Sequence, residues 1–248
     1  MIVKKLIAIA AAAVLFAGAA FGDEFIKFAI GARGNVNYGL GTSLPEEQQK
    51  ALDQVTTIIE AFGGTVKKGV NLGGGFGVYG SIGFHIPFLE ATIGVQPEFC
   101  MNFNNGYYYK ASLTLLGTSG SVEAKLCTDT IDIPVLFFAE FDGGSNFAYG
   151  LGLGPQFSIP FNAKGVVAST SSSASDLSYS PSGMNVGFII AGNGKILLGE
   201  HFALVGDLRW YTESTTKVTY TTPSGEKKTE EWFKRSNISV GLGTEIRF

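Results

Sequence analysis

Ionisable side chains recur at alternate positions of short apolar segments, where pairing with one another is the chemistry open to them. Asp207 and Arg209 are two residues apart, as are Glu245 and Arg247, and residues two apart in a strand share a face. Charges of nearly balanced sign fall on this face: Lys27, Arg33, Glu98, Asp132, Glu140, Lys195, Asp207, Arg209, Glu245 and Arg247. In a sheet that closes into a barrel these side chains would face the lumen, and we interpret them as a polar network that plugs it. The alternative interpretation is a transport path through the lumen.

The two histidines are the side chains best suited to general base catalysis beside a nucleophile. His85 ends one predicted strand and His201 lies in a tight turn. Both are therefore predicted at the end of a membrane barrel that has the short turns, which is the periplasmic end. A barrel enzyme that cleaves or transfers lipid acyl chains works on the outer leaflet, at the opposite end. We therefore expect no enzymatic activity and keep a lipid-modifying enzyme only as a remote alternative.

Cys100 and Cys127 are the only cysteines, and two cysteines in an exported chain suggest one disulfide. They lie in neighbouring predicted strands, but strict alternation puts Cys100 inside and Cys127 outside. A bulge near Asp129 would reconcile the two positions, so a disulfide and two separate thiols both stay open. Two cysteines and two separated histidines lack the close spacing of zinc ligands, so we expect no metal and no cofactor.

The segments that carry these side chains alternate with a period of two, the pattern of a half-buried strand. In residues 71–86, one face carries large apolar residues such as Phe76 and Ile82, and the other is mostly glycine. We predict strands at 25–39, 71–86, 90–105, 122–141, 147–160, 184–198, 202–211 and 238–248. The connections alternate between short and long, which predicts an all-β fold, an antiparallel up-and-down barrel of eight strands that spans a membrane.

The N-terminus has the three parts of a signal peptide. Lys4 and Lys5 precede an apolar core at 6–16, and Ala20 and Gly22 are the small residues of a cleavage site. We predict that residues 1–22 are cleaved and that 23–248 form one barrel domain. The formal net charge of −3 and the lack of a basic stripe make nucleic acid an unexpected partner.

Composition also fits a membrane barrel. The chain of 248 residues has 34 glycines and only 16% charged residues, and its mean hydropathy is +0.22. After the signal peptide, however, no apolar run approaches the roughly 20 residues of a membrane helix. The apolar residues are therefore dispersed along the chain, as they are in membrane strands.

Periodicity alone does not distinguish a soluble barrel from a membrane barrel, because the two differ in which face is apolar. Three features favour the membrane: the signal peptide, the inward glycines at 150, 152 and 154, and the charges on that same face. Small residues let a narrow barrel close, and charges are costly in an apolar core unless all are paired. We predict the outer membrane of a Gram-negative-type envelope, with outer-membrane lipid around the barrel.

The first long connection, 42–70, contains a predicted helix. Ser43 is its predicted N-cap, with Glu46 three residues on, and Gly63 and Gly64 end it. An apolar stripe runs along it: Leu52, Val55, Ile59 and Phe62. We favour a helix packed on neighbouring loops over a lid or an interface-bound helix at the barrel mouth. The other predicted long loops are 106–121, 161–183 and 212–232, and we interpret the tyrosines at 107–109 as part of an aromatic girdle.

Several short motifs resemble those of the small outer-membrane β-barrel proteins called porin-family or PorT-like proteins. They lie at 95–98 (VQPE), 131–137 (IDIPVLF), 149–155 (YGLGLGP) and in the last strand, which ends in Phe248. The resemblance spans most of the chain after residue 22 and implies a membrane barrel. It also implies that Phe248 is a C-terminal signal read by the barrel-assembly machinery.

Three functions follow in order of preference. The first is a structural or surface-interaction protein whose long loops meet host surface molecules, lipid or a partner protein. The second is a narrow porin-like channel for passive diffusion of small or apolar solutes, suggested by inward apolar residues such as Leu136 and Ile189. The third is the lipid-modifying enzyme already described.

Overall fold

The computed structural model describes residues 25–40, 42–115, 118–169, 172–221 and 224–248. Nine strands and one helix form there: β1 (Ile26–Tyr38), α1 (Glu46–Ala61), β2 (Thr65–Ile86), β3 (Ala91–Leu115), β4 (Thr118–Asp142), β5 (Phe147–Ser169), β6 (Ser172–Ser182), β7 (Asn185–Leu197), β8 (Phe202–Thr221) and β9 (Lys227–Arg247). The predicted signal peptide, 1–22, lies outside the described residues.

The sheet closes on itself through eight antiparallel strands. The ring runs β1–β2–β3–β4–β5–β7–β8–β9 and returns to β1, where pairing extends from Ala29 opposite Arg247 to Tyr38 opposite Ile238. β6 precedes β7 at the same place in the ring, pairing with the outer part of β5 and with three residues of β8. The predicted eight-stranded up-and-down barrel is therefore confirmed.

The burial pattern is the reverse of that in a soluble barrel. Large apolar side chains point outward and are exposed, such as Leu242 (75%), Leu72 (67%) and Leu151 (64%), whereas charged side chains such as Arg209 and Glu245 are buried. Closure leaves no unpaired strand edge in the band that contacts lipid. This arrangement is that of a transmembrane barrel in the outer membrane.

The two ends of the barrel differ. The 3-10 turn Pro87–Leu89 and the turns at 143–146 and 198–201 lie at one end, which is the periplasmic end in barrels of this kind. At the other end the prediction of long loops was wrong for many residues. β3 and β4 stay paired out to Leu115 opposite Thr118, and β8 and β9 out to Thr221 opposite Lys227.

The physical reason is that backbone pairing does not need an apolar outer face. Beyond the lipid both faces of the sheet meet water or other loops, so the period-two alternation fades while the hydrogen-bonded ladder continues. Residues 165–182, which lie within the predicted long loop 161–183, belong to β5 and β6 except for the two outside the described range.

Helix α1 follows β1 in the chain and contacts the two strands on either side of β1, which are β2 and β9. Gln48 donates a hydrogen bond to the backbone carbonyl of Glu231 in β9, at 2.8 Å, and Lys68 of β2 forms an ion pair with Asp53. That hydrogen bond from Lys68 lowers the pKa of the exposed Asp53 carboxyl. The helix therefore contacts both β2 and β9. None of its residues is buried, and Val55 of its apolar stripe is 47% exposed, so a helix packed on its neighbours stays a prediction beside the lid or interface-bound helix.

The start of α1 differs from the prediction. Pro45 precedes the first helical residue, and no side chain caps the helix. Ser43 is instead held by backbone hydrogen bonds with Lys234 of β9, so it is not available as an N-cap. Within the described residues, no helix is both long and apolar enough to cross a bilayer.

Cys100 and Cys127 are not bridged. Cys100 is opposite Asp132, whereas Cys127 is opposite Gly106, so five positions of β4, about 16 Å, separate them along the sheet. A disulfide requires Cα atoms roughly 4.4–6.8 Å apart. The β3–β4 pairing does shift register between Asn102 and Asn105, opposite Asp129, but the shift leaves Cys127 partly exposed and far from buried Cys100.

We expect two reactive thiols per chain when the protein is denatured without reductant. Maleimide labelling followed by intact-mass measurement should add two labels, because neither sulfur is oxidised in this structure. A sample reduced before labelling is the control, and it should give the same mass. Labelling that appears only after reduction would contradict the separation of the two strand positions.

Candidate functional site

The middle of the lumen holds a closed ring of four charges. Arg33 of β1 and Arg209 of β8 each contact the same oxygen of Glu98 at 2.7 Å. Asp207 completes the ring, 2.8 Å from Arg209 Nε and 3.6 Å from Arg33 Nη1. Because positive and negative groups alternate around the ring, this middle cluster is neutral. Gln96 donates to the other Glu98 oxygen, whereas the buried Arg33 Nε has no hydrogen-bond partner within the described part of the chain.

A second cluster closes the periplasmic end of the lumen. Lys195 lies 2.8 Å from Glu245 and 2.5 Å from Glu140, and Arg247 contacts Glu140 at 2.5 Å. The hydroxyl of Tyr79 donates to Glu245 at 3.0 Å. This periplasmic cluster is also neutral, with two cations and two carboxylates drawn from β4, β7 and β9.

The outer cluster differs because one cation serves two carboxylates. Arg235 contacts Asp132 and Glu213 at 2.8 Å each, and the side chains of Arg235 and Glu213 have no exposed surface. Arg235 also donates to Thr130 at 2.7 Å, and its guanidinium lies 5.2 Å from the centre of the Tyr211 ring. Every guanidinium nitrogen of Arg235 therefore has an acceptor.

Amide side chains extend the hydrogen bonding around the outer cluster. Asn37 donates to Asn102 at 2.8 Å, and Asn102 donates to Asp132 at 2.7 Å. Asn237 donates to the Tyr211 hydroxyl at 2.8 Å and to Asn105 at 3.0 Å. These bonds satisfy buried amide groups that would otherwise be costly in the lumen.

Two apolar groups fill the remaining space. Leu136, Ile189, Ala191 and Tyr211 pack together inside the barrel. Nearer the outside, a cluster that we call the outer lid contains Ala163, Val218, Trp232 and Phe233, with Leu44, Leu126 and Tyr179 packed against it. Consecutive residues of a regular strand point to opposite faces, yet Trp232 and Phe233 are both buried. The β8–β9 register shifts beside them, which breaks the alternation there.

The space left in the lumen is too small for a solute. A cavity of 20 Å³ remains among Arg33, Asn102, Asp132, Arg209 and their neighbours. A single water needs at least roughly 10–15 Å³ on this measure. This cavity can therefore hold about one water.

Eight of the ten ionisable residues predicted to face the lumen are buried there: Arg33, Glu98, Asp132, Glu140, Lys195, Asp207, Arg209 and Glu245. Arg247 keeps 22% of its side chain exposed at the periplasmic mouth, and Lys27 is half-buried near the same end. The structure thus brings the predicted residues together, but in three clusters rather than one network of pairs.

Sequence reasoning missed Arg235 and Glu213, which carry the outer cluster. Both fell in or next to the predicted loop at 212–232, and the last strand was predicted to begin only at Ile238. The signal was present, since Arg235, Asn237 and Ser239 continue the lumenal alternation of β9 backwards. Extending the alternation back from Ser239 by two more lumenal positions, Asn237 and Arg235, would have included Arg235 in the strand.

The two histidines each contact a neighbouring residue at the periplasmic end. His85 accepts or donates a hydrogen bond with Thr92 at 3.4 Å, and His201 contacts the Arg247 carbonyl at 3.1 Å, both at the periplasmic end. No group of three or more histidine, cysteine, aspartate or glutamate side chains is placed to hold a metal in the part of the chain that the structure describes.

The predicted tyrosine girdle and the predicted C-terminal assembly signal have different outcomes in the structure. The consecutive tyrosines do not form one girdle, because neighbours in a strand face opposite sides. Tyr107 is buried, while the Tyr108 ring lies 5.6 Å from the Lys125 ammonium. The backbone of Phe248 pairs with Phe28 and its side chain is 66% exposed, which leaves its role as an assembly signal a prediction.

The fold and the charged lumen define an outer-membrane β-barrel protein. The chain is similar to the outer membrane protein OprG from Pseudomonas aeruginosa, with 13% identity and a TM-score of 0.51 over 92% of this chain and 98% of that one. A major outer membrane protein from Thermus thermophilus gives 15% identity and a TM-score of 0.47 over 90% and 99%. Ail of Yersinia pestis gives 10% and 0.38 over 92% and 100%.

These similarities concern the fold alone. No protein-family model matches the sequence, and no curated protein does.

Proposed function

We propose that this protein is a sealed outer-membrane barrel with a structural or surface-interaction role and without enzymatic activity. The observation that carries the proposal is the lumen, which holds three charged clusters and the outer lid, with a cavity of 20 Å³ between the middle and outer clusters. Inside a low-dielectric wall such pairs are costly to separate. A barrel filled in this way acts as a rigid support for what it displays outside the membrane.

The surface available for interaction is the sheet that continues beyond the lipid. It comprises the outer parts of β2 to β6, β8 and β9 together with α1. Its partners would be host surface molecules or another protein of the envelope. We also propose, on the motifs at 95–98, 131–137 and 149–155, that the chain is related to the PorT-like barrels.

We expect the folded protein to be silent in a planar bilayer. The refolded full-length chain should show no discrete openings, because no continuous water path crosses the clusters. A variant lacking 42–64 should also be silent, since the deletion removes Leu44 from the edge of the outer lid but no residue of the three charged clusters. A known porin refolded in the same way is the positive control, and a shift between boiled and unboiled gels verifies folding.

Discrete openings in the intact protein would overturn the sealed-barrel proposal in favour of the narrow porin-like channel. Openings only in the variant lacking 42–64 would assign a gating role to α1 and would also count against a sealed lumen.

A further inference from the structure

A groove interrupts the outer surface of the barrel near its extracellular end. Its volume is 840 Å³, and its walls come from the β6–β7 junction, β8 and β9. Gly183 adopts a positive φ of 83° at the junction, and the β8–β9 pairing shifts register on either side of Thr215. These irregularities make the wall recede locally, as β-bulges do beside functional sites.

The lining of the groove changes from apolar to charged toward the outside. Met184, Val186 and Phe188 are exposed by 54%, 51% and 40% and belong to the side of the groove that continues into the lipid-facing part of β7. The side chains of Lys217, Glu231 and Lys234 belong to the other side, and all three are exposed. The same change from apolar to charged groups occurs in a membrane at the boundary between the hydrocarbon and the lipid headgroups.

The groove carries charges that the protein does not neutralise. Among the described residues, neither Lys217 nor Lys234 has an ion-pair partner within 4.0 Å, and Glu231 has none either, which leaves a net charge of +1 on these three exposed side chains. Glu213 lies at the back of the groove, but both of its oxygens bond to Arg235. The lysines Lys110 and Lys125, elsewhere on the outer sheet, are both paired with Glu123.

We propose that this groove binds a phosphorylated lipid of the outer leaflet. The two lysines hold the phosphate, and Met184, Val186 and Phe188 contact the start of the acyl chains. Two cations with one carboxylate suit an anionic headgroup, and the apolar side of the groove suits only a ligand that enters the membrane. A water-soluble anion would use the lysines but not these apolar residues.

The test measures lipid retention by the folded full-length chain in detergent, using native mass spectrometry. Diphosphoryl lipid A and fully dephosphorylated lipid A are the two probes. We expect the phosphorylated probe to bind and Lys217→Gln with Lys234→Gln to weaken it about 30-fold, taking roughly 1 kcal/mol for each lysine near a membrane surface. Glu231→Gln should strengthen binding by removing the exposed carboxylate of the groove.

The matched control is Lys227→Gln with Lys228→Gln, which removes the same charge at the exposed tip of the β8–β9 hairpin, and we expect retention there to stay as in the unaltered chain. Equal retention of the dephosphorylated probe, or unchanged retention in the Lys217 and Lys234 variant, would overturn the proposal. Full displacement of the lipid by excess inorganic phosphate would do the same, since it would mark a site for soluble anions. Unboiled gels verify that every variant is folded.

Discussion

Replacement of Arg235 by methionine is expected to cost about 3–5 kcal/mol in the free energy of unfolding, the usual effect of removing one partner from a buried ion pair. Methionine keeps similar bulk but leaves Asp132 and Glu213 facing each other without a cation. Both carboxylates are almost fully shielded from bulk solvent, since their side chains are 4% and 0% exposed. Urea titration of the protein in lipid vesicles, followed by tryptophan fluorescence, measures the loss.

Two further variants test the cause. Arg247→Met removes a cation that is partly exposed at the periplasmic mouth, and it should cost no more than ~1 kcal/mol. Adding Asp132→Asn and Glu213→Gln to Arg235→Met removes the unpaired charges and should restore much of the stability. A small loss in Arg235→Met, or no rescue by the added changes, would show that the outer cluster is not a tightly bonded unit.

Gly154→Ala is expected to have a comparable effect through sterics alone. A Cβ at this lumenal position would meet the Val135 backbone carbonyl oxygen of the neighbouring strand at 1.9 Å. The backbone of β4 cannot yield as a flexible side chain does, so β4 and β5 must move apart. We expect a loss of about 3 kcal/mol or more, measured by the same urea titration.

Gly192→Ala is the matched control on the outside of the same barrel. Its Cβ would lie 3.6 Å from the nearest atom, Leu151 Cδ2, which is an ordinary contact. The variant should unfold as the unaltered protein does. Equal losses in the two variants would indicate that strand propensity, rather than the narrow lumen, explains the need for glycine.

The strands within the membrane were predictable because lipid outside and a polar lumen inside impose the alternation on every residue. That constraint gave all eight strands of the ring and the lumenal side of Arg33, Glu98 and Arg209. It stops at the membrane boundary, and for this reason the outer parts of β3, β4, β8 and β9 were predicted as loops. Burial of Arg235 was lost with them.

Other features depend on register, which a single strand does not reveal. The positions of Cys100 and Cys127 along the sheet are fixed by the β3–β4 pairing and by the shift at Asn104, whose positive φ of 57° has no clear sequence signal beyond asparagine itself. The grouping of eleven charged side chains into three clusters likewise depends on how each strand is staggered against the next.

The seam between the first and last strands has a consequence for the order of assembly. β9 supplies Arg235 to the outer cluster and Glu245 and Arg247 to the periplasmic cluster, and it pairs with β1, more than 200 residues away. Until the last strand docks, Asp132, Glu213 and Glu140 lack these cations. Contacts between distant parts of a chain form late, so the pairing of these buried carboxylates and the closure of the barrel wall are one event. A nascent chain without its final twenty residues has neither.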